Sequence, residues 1–164
     1  LNKIDEGKRL FQKEPCDLAQ IINDVLFDVH LQIEQKKCVI LRNYNALLPL
    51  QGNRSLLYSI FRNLTDNALT YGGEQIVIDI SCYREDEQFY YFSFSDNGVG
   101  IAEEHLGKVF ERFYRVDKGR SRKIGGTGLG LAIVKNAVLL HKGTISAKSV
   151  STGGLSFIFS LRKY

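Results

Sequence analysis

Two hydrophobic periods divide the chain. Between residues 53 and 71, Leu56, Leu57, Ile60, Phe61, Leu64 and Ala68 recur at helical spacing. The segment reads as an amphipathic helix capped by Asn53 and stopped by Gly72-Gly73. Gln75–Tyr83 and Gln88–Ser95 are rich in β-formers and are joined by the polar turn Arg84–Glu87, which predicts an antiparallel hairpin. Thr144–Ser149 and Leu155–Leu161 predict a second hairpin across Ser151–Gly154. Upstream, Leu1–Phe11 is charged and helix-prone, and Pro15 ends it. Asp17-Leu-Ala-Gln20 predicts a helix start, with the helix running to about Leu31, and Lys37–Arg42 reads as a short strand. A short helix after Ala102 leads into a long basic segment. Gly126-Thr-Gly-Leu-Gly130 then opens a helix to about His141, ended by Gly143. This order predicts an α+β two-layer sandwich: a mixed, mostly antiparallel sheet with helices on one face.

Composition narrows the class. The chain has 164 residues, 44% hydrophobic and 11% aromatic, with a net charge of +4, which fits one globular domain and excludes a disordered chain. No apolar run approaches a membrane span, and Leu1–Leu10 lacks the apolar stretch of a signal peptide. Met is absent, so the sequence is expected to be part of something longer. Cys16, Cys38 and Cys82 are odd in number and widely spaced, which argues against a disulfide framework or a zinc site. The net charge is too small to argue for nucleic acid. Arg112, Arg115, Lys118, Arg120, Arg122 and Lys123 nevertheless crowd one segment, opposed only by Glu111 and Asp117.

Three polar features carry candidate chemistry. At about 100° per residue, Asn63, Asn67, Thr70 and Tyr71 fall in one narrow helical stripe. Asn67 lies at the border of the apolar face, where an unpaired amide costs free energy. Amide carbonyls suit Mg²⁺, which takes few protein ligands when phosphates supply the rest. Second, Asp96-Asn-Gly98-Val-Gly100 ends a strand. Turn formation explains Asn97 and Gly98, but Asp96 follows the apolar-rich run Phe92–Ser95 and needs a donor, for which the exocyclic amine of adenine is one candidate. Third, Gly125-Gly-Thr-Gly-Leu-Gly-Leu131 runs into a helix, where backbone N–H groups and the helix dipole favour an anion. It is neither a Walker A loop nor a dinucleotide fingerprint. Together the three features describe a nucleotide site. The basic segment between the last two forms a lid supplying cations for a γ-phosphate, expected to be mobile across about Asp117–Gly125.

These motifs resemble the four boxes of sensor histidine kinases. Asn63-Leu-Thr-Asp-Asn67-Ala-Leu-Thr-Tyr71 resembles the N box, and Asp96-Asn-Gly-Val-Gly100-Ile the first glycine box. Phe110-Glu-Arg-Phe113-Tyr-Arg115 resembles the F box, and Gly126-Thr-Gly-Leu-Gly130-Leu the second glycine box. The order and spacing are family-like, and the resemblance covers nearly the whole chain. It implies the Bergerat-type ATP-binding fold shared with gyrase, the Hsp90 chaperone and mismatch-repair ATPases. It further implies ATP and Mg²⁺ as ligands, with Asn67 on the metal and Asn63 supporting the phosphate side. Tyr71 would pack near the adenine and Asp96 would accept from its amino group. Gly98 and Gly100 would shape the base pocket. Arg115 would reach the phosphates, and Gly126, Gly128 and Gly130 would cradle them. Phe110 and Phe113 would anchor the start of the lid. Ile101, Tyr114, Thr127, Leu129 and Leu131 complete the expected nucleotide-binding set. Thr70 departs from the family, which often has Lys there to contact phosphate.

Hydrolysing relatives carry Glu as general base one turn before the metal-binding Asn, and this chain has the amide Asn63. The resemblance therefore implies phosphoryl transfer to histidine rather than hydrolysis, with Asn63 and Arg115 as the catalytic candidates. His30, His105 and His141 do not match the acceptor motif and read as ordinary surface or capping residues. Residues 1–12 resemble the end of a second dimerisation helix, and 13–164 the catalytic domain. The acceptor histidine and dimer interface are expected upstream, so the isolated chain is expected to be monomeric and unable to phosphorylate itself. The expected partners are its own dimerisation domain and a response-regulator receiver domain, with no nucleic acid. The expected setting is the cytoplasmic side of a bacterial inner-membrane sensor that forms homodimers. The alternatives are an ATPase of the same fold or a degenerate nucleotide-binding regulatory module.

Overall fold

Residues 11–114 and 129–164 are described by the computed structural model. Strand β5 (Phe89–Asp96) occupies the middle of its five-stranded sheet. Its residues alternate without a break between half-buried and buried, so Tyr90, Phe92, Phe94 and Asp96 all face the helices. On one side β5 pairs antiparallel with β4 (Val77–Glu85), which in turn pairs parallel with the edge strand β2 (Val39–Asn43). On the other side it pairs antiparallel with β7 (Leu155–Arg162), followed by β6 (Ile145–Ser149). A second, two-stranded ribbon joins β1 (Glu14–Asp17) to β3 (Pro49–Gly52). The helices are α1 (Leu18–Asp28), α2 (His30–Gln35), α3 (Arg54–Tyr71), α4 (Glu103–Leu106) and α5 (Gly130–Leu140). The predicted two-layer α+β sandwich is the observed architecture. Among the described residues no helix is long and apolar enough to cross a membrane.

Helix α3 is the centre of the helical layer. Asn53 caps it by accepting from the Leu56 N–H at 3.0 Å, as its sequence predicts. Leu57, Ile60, Phe61, Leu64 and Ala68 are buried along one face. Phe61 meets Phe92 of β5 and Phe159 of β7 edge-on, with ring centroids 5.5 and 5.8 Å apart, while Phe92 and Phe159 stack on each other. This three-ring contact joins α3 to the two central strands, and edge-on aromatic pairs add about 0.5–1.5 kcal/mol each beyond their buried area.

Several sequence expectations shift. The helix predicted from Asp17 to about Leu31 breaks at Val29, a fully buried residue with φ −109° and ψ 16°, and resumes as α2. Asp17 caps α1 by accepting from Ala19, but Gln20 bonds Asp24 instead of closing a capping box. The same Asp17 oxygen accepts from Leu48, tying α1 to the β1–β3 ribbon, which the sequence reading missed. In the first hairpin a register shift between Cys82 and Arg84 carries β4 on to Glu85. Asp86, not Arg84, then makes the reversal, accepting from the N–H groups of Gln88 and Phe89. Strand β2 starts after Lys37, which has a positive φ of 52°.

His141 clamps the end of α5 to the start of α3. Its Nδ1–H donates to the Ala137 carbonyl at 2.8 Å, and its Nε2 accepts from the Asn53 N–H at 3.1 Å. The second bond requires the neutral imidazole, since protonated Nε2 could not accept. Burial pushes the His141 pKa below its ordinary value of 6.5, partly opposed by the Ala137 carbonyl, with Lys13 adding to the depression. The unfolded chain therefore takes up this proton first as pH falls through about 6.5, and the folded state loses stability in that window. Above it both states are neutral and the effect vanishes. His141→Gln is expected to cost about 1–3 kcal/mol at pH 8 and to flatten the fall in melting temperature between pH 7.5 and 5. Calorimetry across that range checks this; an unchanged slope in the variant would show that another group sets it.

Candidate functional site

The site is built where the 96–101 loop and the start of α5 meet α3. The stripe predicted from helical periodicity exists: Asn63, Asn67 and Thr70 are half-buried on α3 and Tyr71 is 40% exposed at its end. Asn63 donates from Nδ2 to the Ser59 carbonyl one turn back at 2.8 Å. Its Oδ1 faces the first turn of α5, where a Cβ on Gly130 would stand 3.1 Å from it. A larger residue there would press on the Asn63 side chain and push it from this position. No side chain caps α5 among the described residues, so its first N–H groups and its dipole suit an anion beside Asn63. No hydrogen bond holds the Asn67 amide among the described residues.

The loop after β5 reaches the other end of the stripe. A Cβ on Gly98 would run into the backbone of Gly72, the C-cap of α3, so the first glycine segment packs directly on the helix end. Asn97 fixes the same loop from the sheet side, accepting from the Val77 N–H at 2.7 Å. Asp96, 9% exposed, accepts from the Gly98 N–H at 2.9 Å. Burial pushes its carboxyl above the usual range, and the N–H groups of Gly98 and Leu155 pull it partway back. A buried carboxylate with a raised pKa is a strong acceptor for a ligand amine.

The remaining predicted residues divide. Ile101, Phe110 and Leu131 are half-buried against the core, Phe110 meeting Phe157 edge-on at 6.0 Å. Gly100 has a positive φ of 68°. Leu129 caps α5 in helical geometry. Tyr114 bonds His105 on α4 through its hydroxyl. Of the two aromatics expected to anchor the start of the lid, Phe110 is half-buried against the core and Phe113 is 68% exposed at φ 64°. Arg115, Gly126, Thr127, Gly128 and the expected mobile stretch Asp117–Gly125 lie outside the described residues. The sequence reading missed Gly72 and Leu155, which shape the site through backbone atoms and leave no side-chain signal. Among the described residues no group of His, Cys, Asp or Glu could hold a metal ion. A divalent ion here would depend on amide and ligand oxygens, which fits Asn67 and a polyphosphate. The groove of about 630 Å³ between α1 and α3, lined by Ile21, Asp24, Phe27, Asp28, Arg54 and Tyr58 among others, includes none of the stripe.

Fold and site define a nucleotide-binding domain. The family of histidine kinase-, DNA gyrase B- and HSP90-like ATPases matches residues 52–164, and the chain belongs to it. It is 35% identical over 162 residues to the sensor histidine kinase WalK of Bacillus subtilis, covering 98% of this chain and 26% of WalK. It is 45% identical over 147 residues to the phosphate regulon sensor protein PhoR of Haemophilus influenzae, covering 84% of this chain and 34% of PhoR. The chain thus spans about a quarter to a third of the length of these relatives. In structure it is similar to the nucleotide-free catalytic domain of the histidine kinase ThkA, with a TM-score of 0.80 at 25% identity over 93% of this chain and 96% of that one. Another structure of ThkA is a complex with the response regulator protein TrrA.

The raised Asp96 pKa has a stability consequence. Folding disfavours its anion, so the folded state is less stable above that pKa than below it. Asp96→Asn keeps an oxygen for the Gly98 and Leu155 N–H groups and removes the buried charge. Without nucleotide it is expected to melt at or above the parent temperature at pH 7; a clear drop in a thermal melt would contradict this. Gly98→Ala, which drives a methyl into Gly72, is expected to cost about 1–3 kcal/mol in the same assay.

Proposed function

We propose that the chain is the catalytic ATP-binding domain of a sensor histidine kinase, transferring the γ-phosphoryl group of ATP to a histidine on a dimerisation domain. The observation that carries this reading is the meeting of the 96–101 loop and the start of α5 on α3, with Gly98 packed on Gly72 and the amide Asn63 facing Gly130. Asp96 accepts the adenine amine while Tyr71, Ile101, Gly98 and Gly100 border the base. Asn67 offers its carbonyl to Mg²⁺, which when bound neutralises phosphate charge. Leu129, Gly130 and Leu131 present the start of α5 to the phosphates, and the proposal extends to Arg115, Gly126, Thr127 and Gly128. The acceptor imidazole attacks the γ-phosphorus through a neutral nitrogen, the bond to the β–γ bridging oxygen breaks, and ADP leaves. Asn63 cannot take a proton from water, which favours transfer over hydrolysis. His141 and His30 are occupied by backbone carbonyls and His105 by Tyr114, which supports an acceptor elsewhere.

In this reading residues 1–12 end a dimerisation helix and 13–164 form the catalytic domain. The isolated chain is a monomer and the whole protein a homodimer. Its other partner is a response-regulator receiver domain, a proposal supported by the likeness to ThkA. The setting is the cytoplasmic side of a bacterial membrane-anchored sensor.

Titration calorimetry tests the reading. ATP is expected to bind in the presence of Mg²⁺, more weakly without it, and to lose at least about tenfold in affinity in Asp96→Ala. Asn67→Ala is expected to abolish the Mg²⁺ dependence. Phosphohistidine is expected only after a dimerisation domain with the acceptor is joined to the chain. Absence of ATP binding in the parent would bring forward the regulatory-module alternative that Thr70 suggests.

A further inference from the structure

The turn between β6 and β7 belongs to none of the four boxes, yet its backbone lies against Asp96. Leu155, the first residue of β7, is the cross-strand partner of Asp96. The Gly98 N–H donates to the Asp96 carboxylate at 2.9 Å, and the Leu155 N–H lies near enough to favour the same anion. Immediately before it, Gly154 has a positive φ of 103°. A Cβ there would collide with the Asp96 carbonyl and come within 2.9 Å of Asn97 Cα. From the other side, a Cβ on Gly100 would stand 2.8 Å from the Gly154 carbonyl oxygen. The turn is closed by the Val150 N–H donating to Gly154 and the Gly153 N–H donating to Val150. Ser149 further ties it to the loop by donating from Oγ to the Ile101 carbonyl at 3.2 Å. The turn and the 96–101 loop are thus one packed unit, and position 154 fits against the Asp96 carbonyl because it carries no Cβ.

We propose that Gly154 is a positioning residue for base recognition: its lack of a side chain lets the β6–β7 turn seat behind Asp96 and hold the carboxylate where a purine amine meets it. This rests on the nucleotide reading above. A site built to pair with a ligand N–H discriminates strongly against an analogue without it, but only if the buried acceptor is fixed in place. Displacing Asp96 therefore costs selectivity for the amine before it costs affinity for the rest of the nucleotide. A merely structural role for Gly154 would weaken both together.

Calorimetric affinities for ATP and for purine riboside triphosphate, which lacks the exocyclic amine, separate the two. The parent is expected to prefer ATP by at least about tenfold. Gly154→Ala is expected to bring that ratio near one while binding of purine riboside triphosphate persists. Gly153→Ala strains the same turn at φ 107°, but its Cβ meets nothing nearer than the Gly98 oxygen at 3.7 Å, so the ratio is expected to survive. If Gly154→Ala does not fold, Gly100→Ala presses on the Gly154 carbonyl from the opposite side and is expected to lower the ratio in the same direction. An unchanged ratio in both Gly154→Ala and Gly100→Ala overturns the proposal. So does an equal loss for both nucleotides, or the same effect in Gly153→Ala. A parent that binds neither nucleotide overturns the nucleotide reading itself. A parent that binds both equally well removes Asp96 as the amine acceptor.

Discussion

The unbroken two-residue alternation of β5 is the constraint on which the site depends. It puts Tyr90, Phe92, Phe94 and Asp96 in one row facing the helices. The first three make a core, and the fourth is a carboxylate carried into the same face by the same geometry. A slip of one residue would expose the core and send Asp96 to the opposite face, so the pairing that stabilises the sheet also fixes the acceptor. Register with β4 and β7 holds on both sides: Ile78 and Leu155 are the cross-strand partners of Asp96. The cost of burying that carboxylate is offset by backbone N–H groups at the strand end, which exist only because the loop turns back on itself.

Helix α3 transmits this order to the start of α5. At its start, His141 binds its N-cap to the end of α5. In its middle, Phe61 locks it to β5 and β7. Its Asn63 touches the start of α5, and its C-cap receives Gly98. The two ends of α5 thus meet α3 at two levels, one through a buried imidazole and one through a missing side chain. Close backbone approach at Gly98 and Gly130 does for the site what aromatic packing does for the core.

Elements governed by local periodicity were legible in the sequence. Helix α3, its Asn53 cap, both hairpins and the start of α5 all follow from spacing and turn residues close in sequence. The β1–β3 ribbon was not, because its four-residue strands pair across more than thirty positions and carry no period of their own. The break at Val29 was hidden because Val29 itself remains buried and continues the apolar pattern. The bulge near Tyr83 moved a turn because two residues then oppose one. In the site, Asn63, Asn67 and Asp96 were legible as polar residues in apolar contexts. Leu155 was not, since it contributes a backbone N–H, and neither was the exposure of Phe113, since an aromatic in a motif looks the same whether or not it is buried.

Asn63 shows how little separates two chemistries on this frame. Its NH₂ is committed to the Ser59 carbonyl, which orients its oxygen toward the first turn of α5. A carboxylate at that position could not make the same bond to a carbonyl, because both of its oxygens are acceptors. It would turn elsewhere, and its charge would oppose an anion at the start of α5. The amide therefore does two things at once: it is inert as a base, and it brings no negative charge to the start of α5. In the proposed reaction, where the nucleophile brings its own lone pair, a charged base would add nothing and would weaken the phosphate site. The bond to Ser59 and the closeness of Gly130 are thus consistent with a site arranged for positioning and charge neutralisation rather than for proton abstraction.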